Sequence, residues 1–242
     1  MHFHLPKPLH GWREFAGEVG IIVVGVLIAL AFEQVAEAFR WRADIAESEA
    51  SMRNELSDDD GPQVFERLAF SPCIAAQLDE AQARLVRERD TGATFRPPDL
   101  VVPTYFTWDS DAYRQALSSS ALSHMSTTRA YAWSSPYALM NNMDAANVRE
   151  NSDYAQLQMM AVASEHPSEQ MRTMLLAAIA RARGDNQLMT LLATKFVTYS
   201  RDAGITLTPD QKRLLITRDR ALFPACAKDA GPRRLSAAAA TH

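Results

Sequence analysis

The chain of 242 residues contains little cysteine, little glycine and no excess of positive charge. Its two cysteines can form at most one disulfide, which excludes the disulfide-dense class of small secreted domains. None of its nine glycines belongs to a dinucleotide-binding fingerprint. The net charge is −4 and the sequence shows no domain-sized basic face, so we expect no nucleic-acid partner.

Catalytic signatures are also missing from the sequence. It contains no GxSxG nucleophile elbow, no HExxH zinc motif and no P-loop. His2, His4 and His10 could bind a metal ion, but they share a short proline-containing tail without a fixed fourth ligand. We therefore predict a protein that is not an enzyme and that has no catalytic residue, no cofactor and no metal site.

The longest apolar run of the chain lies near the N-terminus. Residues 19–32 carry no charge and are bounded by Glu18 and Glu33. As a helix they cover about 21 Å, whereas the hydrocarbon core of a bilayer is roughly 30 Å thick. The run is short for a spanning helix, and a secretory signal cleaved at residues 36–38 is the main alternative.

The residues that flank this run favour a membrane-spanning helix. Trp12 and Trp41 lie about 43 Å apart along a helix, which matches the spacing of the two headgroup regions where indoles prefer to lie. Arg13 at one end, and Arg40 and Arg42 at the other, add cations at the same levels. We predict a transmembrane anchor over residues 12–41, with these five side chains at the membrane interfaces.

Carboxylates and small residues within the anchor indicate a contact with another helix. Glu18 and Glu33 would lie just inside the hydrocarbon edges, where a carboxylate must reach the interface, take up a proton or pair with a partner. Small residues four positions apart allow two helices to approach closely. Besides lipid, we predict a contact with another membrane protein or a second copy of the chain, made through Glu18, Gly20, Gly25, Ala29 and Glu33.

The stretch LPKPLHGWREFAGEVGIIVVGVLIAL, followed by EQ, AE and RWR, resembles the N-terminus of a family of uncharacterised bacterial single-pass membrane proteins. The resemblance is close over residues 5–42. It is looser in the rest of the chain, where a Pro-Cys-Ile motif and a cysteine near the C-terminus are similar. The resemblance implies an uncleaved anchor, and it implies no activity.

The patterns after the anchor predict a soluble helical domain over residues 42–226, between an N-terminal tail (residues 1–11) and a disordered tail (residues 227–242). We expect the anchor helix to continue into a stalk that ends at residues 58–62, where Gly61 and Pro62 follow three aspartates. Further helices are predicted from Ser71–Pro72 to residues 90–92, then over residues 110–117, 127–164 and 167–203, with an extended strap at residues 96–104. The predicted fold class is all-α: a transmembrane helix that continues into a stalk, then an irregular multi-helix bundle.

Most aromatic residues of the domain fall between residues 105 and 137. They could line a small-molecule groove or pack the strap onto the helices, and we favour packing. The ten methionines are interpreted as flexible core residues. The aromatic set is Tyr105, Phe106, Trp108, Tyr113, Tyr131, Trp133 and Tyr137.

The two cysteines, Cys73 and Cys226, lie near the two ends of the soluble part. A bridge between them would close a loop of about 150 residues and stabilise the fold by roughly 4 to 5 kcal/mol on the chain-entropy argument. The charges around the anchor do not decide its orientation, and a short tail inside with a long domain outside is the usual arrangement. We predict a Cys73–Cys226 disulfide, a cytoplasmic N-terminus and a periplasmic domain at the bacterial inner membrane.

These patterns together predict a non-catalytic accessory or structural subunit that contacts a larger membrane complex. The alternative is a periplasmic module that binds or senses a small molecule and acts through a separate partner, since a helical bundle with an aromatic cleft can bind ligands. An unrecognised hydrolase is a third hypothesis.

Overall fold

The computed structural model describes residues 11–98, 100, 102–103, 105–162, 165–211 and 213. Within these ranges the regular structure is helical and no β-strand occurs, which confirms the predicted all-α class. Five α-helices follow in chain order: α1 (Trp12–Asn54), α2 (Asp60–Thr91), α3 (Asp111–Ser118), α4 (Thr127–Leu157) and α5 (Glu169–Asp202). A π-helical turn (Glu55–Asp59) follows α1, and 3₁₀ helices (Ala121–His124 and Gln158–Val162) lie on either side of α4 in the sequence.

The chain divides into two compact units, residues 1–47 and residues 48–242, and the boundary falls inside α1. The first unit contains the uncharged run and its flanking tryptophans. The second contains the last turns of α1 and the bundle formed with α2 to α5.

The predicted end of the stalk at residues 58–62 is wrong. The backbone forms a π-helical turn there, in which the N–H of Asp60 donates to the carbonyl of Glu55, and the chain then continues as α2. Pro62 lies in the first turn of α2, where a missing N–H is tolerated. A Cβ at Gly61 would lie 1.9 Å from the carbonyl oxygen of Leu56, so the turn requires glycine at this position.

The predicted helix start at Ser71–Pro72 is also wrong, because α2 continues through Pro72. Instead of capping a helix, the buried Ser71 hydroxyl donates to the carbonyl of Arg67 at 3.0 Å. A proline inside a helix costs about 3 kcal/mol. Burial of Phe70 and Ile74 on either side favours the continuous helix.

Two clusters of buried side chains form the interior of the second unit, and α5 contributes to both. The described residues between α2 and α3 (92–98, 100, 102–103 and 105–110) form no helix; this segment includes the predicted strap at residues 96–104 and is called the strap from here on. The first cluster joins the end of α1 to the strap, α4 and the C-terminal half of α5; its largest members are Met52, Leu56, Phe106, Trp108, Trp133, Tyr137, Met140, Met143, Met189 and Phe196. The second joins α2 to the N-terminal half of α5; its main members are Phe70, Ile74, Leu78, Leu85, Phe95, Tyr154, Leu157, Met160, Leu175 and Ile179.

Hydroxyl caps begin two of the long helices of the bundle, α4 and α5. Ser126 accepts a hydrogen bond from the N–H of Arg129 at the start of α4, and Ser168 accepts from the N–H of Met171 at the start of α5. Helix α4 ends at Leu157, before the predicted residue 164, where the backbone tightens into a 3₁₀ helix. Residues 1–10, 212 and 214–242 lie outside the described residues, and so does the predicted C-terminal tail.

Candidate functional site

The uncharged segment of α1 exposes its apolar side chains. Ile21 is 76 % exposed and Phe32 is 72 % exposed, and no part of the most apolar 18-residue window is buried. In the described part of the chain, only the helical stretch Phe15–Thr91 contains a segment long and apolar enough to cross a membrane. Soluble monomers rarely expose a continuous apolar surface of this extent, so the segment requires a cover of lipid or protein.

The two tryptophans predicted to mark the membrane interfaces lie on this same helix. Trp12 is 80 % exposed, and its ring centroid is 6.0 Å from that of Phe15. Trp41 is half-buried and donates from its indole nitrogen to Glu37, one turn earlier, at 3.3 Å. A continuous helix preserves the predicted spacing of about 43 Å between the two indoles.

The three predicted interface arginines, Arg13, Arg40 and Arg42, are exposed. The guanidinium of Arg42 lies 5.6 Å from the centroid of the Phe39 ring, within cation–π range. Such side chains can keep their charge in water while their stems cover apolar surface. The assignment of all five residues as membrane anchors stays a prediction.

The residues predicted to pack against a partner helix are exposed as well. Glu18 and Glu33 both face solvent, as do Gly20, Gly25 and Ala29. A Cβ at either glycine would meet no atom within 4 Å. The surface around these small residues is therefore open to a second helix, and the contact itself stays a prediction.

The predicted disulfide involves one described and one undescribed residue. Cys73 is half-buried in α2, and the side-chain amide nitrogen of Gln77 lies 3.7 Å from its sulfur. Cys226 lies outside the described residues, so the bridge stays a prediction.

The aromatic residues between residues 105 and 137 pack mainly into the first core cluster. Phe106, Trp108, Trp133 and Tyr137 are buried there, whereas Tyr105 and Tyr131 are exposed. The side-chain amide of Asn147 donates to the carbonyl of Phe106 at 2.6 Å and holds the strap against α4. These contacts agree with the packing interpretation.

A buried ion pair joins three helices of the bundle. Arg67 on α2 is 2 % exposed and Glu150 on α4 is 1 % exposed, with 2.5 Å between Nη2 and Oε1. The same nitrogen donates to Asn186 on α5 at 3.0 Å, and Nη1 donates to the Ser71 hydroxyl at 2.8 Å. Burial raises the pKa of Glu150, and the positive charge of Arg67 opposes that rise.

This pair lies buried between the helices of the bundle. Among the described residues, Nε of Arg67 and Oε2 of Glu150 are buried without a hydrogen-bond partner, so the pair is not fully satisfied. Buried ion pairs contribute little net stability, but removal of one partner leaves an uncompensated charge. We interpret the pair as fixing the relative positions of α2, α4 and α5.

Three carboxylates bind the backbone of the strap where it leads into α3. Asp144 accepts from the N–H of Trp108 at 3.3 Å, Asp60 from that of Asp109 at 3.4 Å, and Glu55 from that of Ala112 at 2.9 Å. Burial raises the pKa of Asp144, and the charge of Asp109 adds to the rise. Burial, with Glu55 next in importance, raises the pKa of the Tyr137 hydroxyl.

Two further carboxylates pair with arginines across helices. Glu49 on α1 binds the guanidinium of Arg129 and accepts from the indole nitrogen of Trp133 at 2.9 Å. Although burial alone would raise its pKa, these hydrogen bonds lower it. At the other end of the bundle, Glu88 on α2 accepts from Arg172 on α5 at 2.6 Å, which lowers the pKa of Glu88.

Sequence patterns did not identify the Arg67–Glu150 pair, because its members are 83 positions apart. One signal was present in the sequence. Arg67 follows Val64 by three positions and precedes Ile74 by seven, so it falls on the buried side of α2. A charged residue in such a position requires a buried partner, and only the folded chain identifies that partner.

Within the described residues, no cluster of three or more histidine, cysteine, aspartate or glutamate side chains could hold a metal ion. Protein-family models, curated proteins and solved structures were compared with the chain, and none matches it.

Proposed function

We propose that the protein is a single-pass inner-membrane protein that acts as a non-catalytic accessory or structural subunit of a larger membrane complex. In this proposal the anchor at residues 12–41 crosses the bilayer, the N-terminus is cytoplasmic and the helical domain is periplasmic. The observation that carries the proposal is the fully exposed, uncharged apolar surface of α1.

Lipid supplies the cover that this surface requires. Each Val, Leu, Ile or Phe moved from water into an apolar environment gains about 1.5–3 kcal/mol, and the run contains ten of them among its 14 residues. A helix also satisfies its own backbone hydrogen bonds, which a spanning segment must do.

The chemistry of the second unit supports a structural role. Its buried ion pair, Arg67 and Glu150, joins helices to one another. The carboxylates near the strap accept backbone hydrogen bonds. Groups engaged in this way hold the fold together and leave the anchor as the main surface for a partner.

Membrane association and complex size test the proposal together. We expect the full-length chain to stay in the membrane after carbonate extraction and, in mild detergent, to migrate well above the mass of the free chain. A chain extracted by carbonate, one that begins after Ala38, or a free monomer in native gels would refute it.

Thiol chemistry tests the periplasmic location. The periplasm is an oxidising compartment, so Cys73 and Cys226 should both resist alkylation until a reductant is added. Two thiols that react at once in freshly prepared membranes would place the domain on the cytoplasmic side.

A further inference from the structure

If the tryptophans fix the position of the anchor, the two carboxylates that bound the uncharged run lie at different depths. Glu18 is six residues from Trp12 and Glu33 is eight residues from Trp41 on α1, and the Cα atoms of the two glutamates are separated by about 22 Å, against roughly 30 Å of hydrocarbon. With the anchor centred between the tryptophans, the backbone of Glu18 lies about 2 Å and that of Glu33 about 5 Å inside its nearer hydrocarbon edge. The Trp12–Trp41 spacing matches a bilayer of ordinary thickness, so the helix cannot slide to free both carboxylates.

The direction of helical side chains adds to this difference in depth. Side chains of an α-helix lean toward its N-terminus. The hydrogen bond from Trp41 back to Glu37 is an example on this helix. The side chain of Glu18 therefore leans outward to its interface, whereas that of Glu33 leans inward, away from its own. Glu33 thus places its carboxylate deeper in the hydrocarbon than Glu18 does.

Glu33 shares its side of the helix with the small residues. At 3.6 residues per turn, Gly25, Ala29 and Glu33 fall within a sector of about 80°. All three are exposed, and a Cβ at Gly25 would meet no atom within 4 Å. A second helix can therefore approach closely beside the carboxylate that most needs a hydrogen-bond donor.

We propose that Glu33 is the docking point for a transmembrane helix of a different protein, which brings a cationic side chain to the same depth and packs against Gly25 and Ala29. This inference rests on the proposed function, because it requires a spanning anchor. The negative charge of Glu33 determines which kind of helix can pack beside it. A second copy in parallel would place Glu33 against Glu33, and acyl chains offer no donor at that depth.

Face-specific cross-linking in native membranes tests the inference. A benzophenone amino acid replaces either Ala29, on the proposed face, or Leu27, on the opposite face. We expect the Ala29 position to give one adduct with a protein that carries Arg, Lys or His at matching depth, and the Leu27 position to give none. Glu33→Leu should reduce that adduct about tenfold, the effect of losing an interhelical contact of 1–2 kcal/mol.

Glu18→Leu is the matched control. The sequence pattern grouped Glu18 with the packing residues, but in this inference its side chain reaches the interface, so the adduct should be unchanged. A dimer of this chain, equal adducts from both faces, or an adduct insensitive to Glu33→Leu would overturn the inference. The same samples are extracted with carbonate. A chain that leaves the membrane refutes the proposed function, whereas a retained chain in a large complex that is insensitive to Glu33→Leu refutes only this inference.

Discussion

The two units of the chain place charged and apolar residues in opposite ways. In the second unit the buried ion pair of Arg67 and Glu150 lies between helices, beside polar groups such as Asn186. In the first unit the apolar residues are exposed, and the charges lie at the ends of the uncharged run. Burying a charge and exposing apolar surface to water both cost free energy. The two units must offset these costs in different ways.

Inside the bundle, side chains of α2, α4 and α5 offset the cost of buried charge, because they form ion pairs and hydrogen bonds with one another. Along the uncharged run of α1, the described residues leave the apolar side chains exposed, and a continuous exposed apolar surface of this kind marks a site for lipid or another protein. Exposure alone does not separate the units, since single apolar side chains such as Leu191 are exposed in the bundle too. The two units differ in that the exposed apolar side chains of α1 form a continuous surface, whereas Leu191 is a single exposed side chain.

Loss of one partner of the buried ion pair should give the largest effect in the bundle. Glu150→Leu leaves Arg67 buried and uncompensated, and we expect a loss of about 3–5 kcal/mol in the free energy of unfolding. Urea titration of the full chain in detergent, followed by tryptophan fluorescence, measures it. The double change Arg67→Met and Glu150→Leu should recover most of the loss.

The matched control is Arg114→Ala. Arg114 and its ion-pair partner Asp111 are both exposed. Its removal should cost less than about 1 kcal/mol, as for other surface pairs. Equal losses for the buried and the exposed pair would contradict the structural role assigned to Arg67 and Glu150.

A lysine placed in either unit tests the difference in apolar exposure directly. Leu27 is 59 % exposed in α1 and Leu191 is 51 % exposed in α5, so a soluble protein would tolerate both changes alike. If α1 spans a membrane, Leu27→Lys should cost about 3 kcal/mol of insertion, and Leu191→Lys should change stability by less than about 0.5 kcal/mol. The membrane-retained fraction after carbonate extraction measures the first, and urea titration the second. Full membrane retention of Leu27→Lys would argue against a spanning helix.

The two glycines Gly61 and Gly184 test the π-helical turn. Gly61→Ala forces a Cβ against the Leu56 carbonyl oxygen, and we expect a loss of about 1–3 kcal/mol. A Cβ at Gly184 would meet no atom within 4 Å, so Gly184→Ala should instead stabilise α5 by about 0.5–1 kcal/mol. Urea titration of both variants gives the signs. A stabilising Gly61→Ala would show that the chain is α-helical there.

Local patterns in the sequence predicted the fold class and several helix ends, because those features depend on neighbouring residues. Ser126 caps α4, which begins at the predicted residue 127, and α2 ends at Thr91 before Gly92. Helix α5 begins two residues after the predicted start at residue 167, with Ser168 as its cap. The patterns failed at Pro62 and Pro72, where proline predicted interruptions. Burial of Val64, Phe70 and Ile74 on the same helix favours a continuous helix. This burial depends on contacts with other helices, which local sequence patterns do not contain.

For the candidate site too, the sequence predicted local features but not long-range contacts. The exposed apolar segment of α1 was predictable, since length and composition define it. The partners of Glu150 and Asp144 were not, because each contact joins residues far apart in the chain. A charged residue at a buried helical position predicts that a partner exists, but the sequence does not identify that partner.

The smallest predicted effect is a pair of opposite pH dependences in the bundle. The hydrogen bonds from Arg172 lower the pKa of Glu88 in the folded chain. Its contribution is therefore present above the ordinary pKa of glutamate, 4.5, and is lost as pH falls through the lower folded value. Burial raises the pKa of Asp144, so its effect has the other sign: the folded chain gains stability as pH falls through that raised value.

Urea midpoints measured at several acidic pH values separate the two groups. Glu88→Gln should flatten the loss of stability in acid, because the charge that Arg172 stabilises is gone. Asp144→Asn should steepen the same loss, because an opposing contribution is removed. Changes of the same sign in both variants would mean that burial and not ion pairing governs Glu88, and its contact with Arg172 would then stabilise the bundle through packing alone.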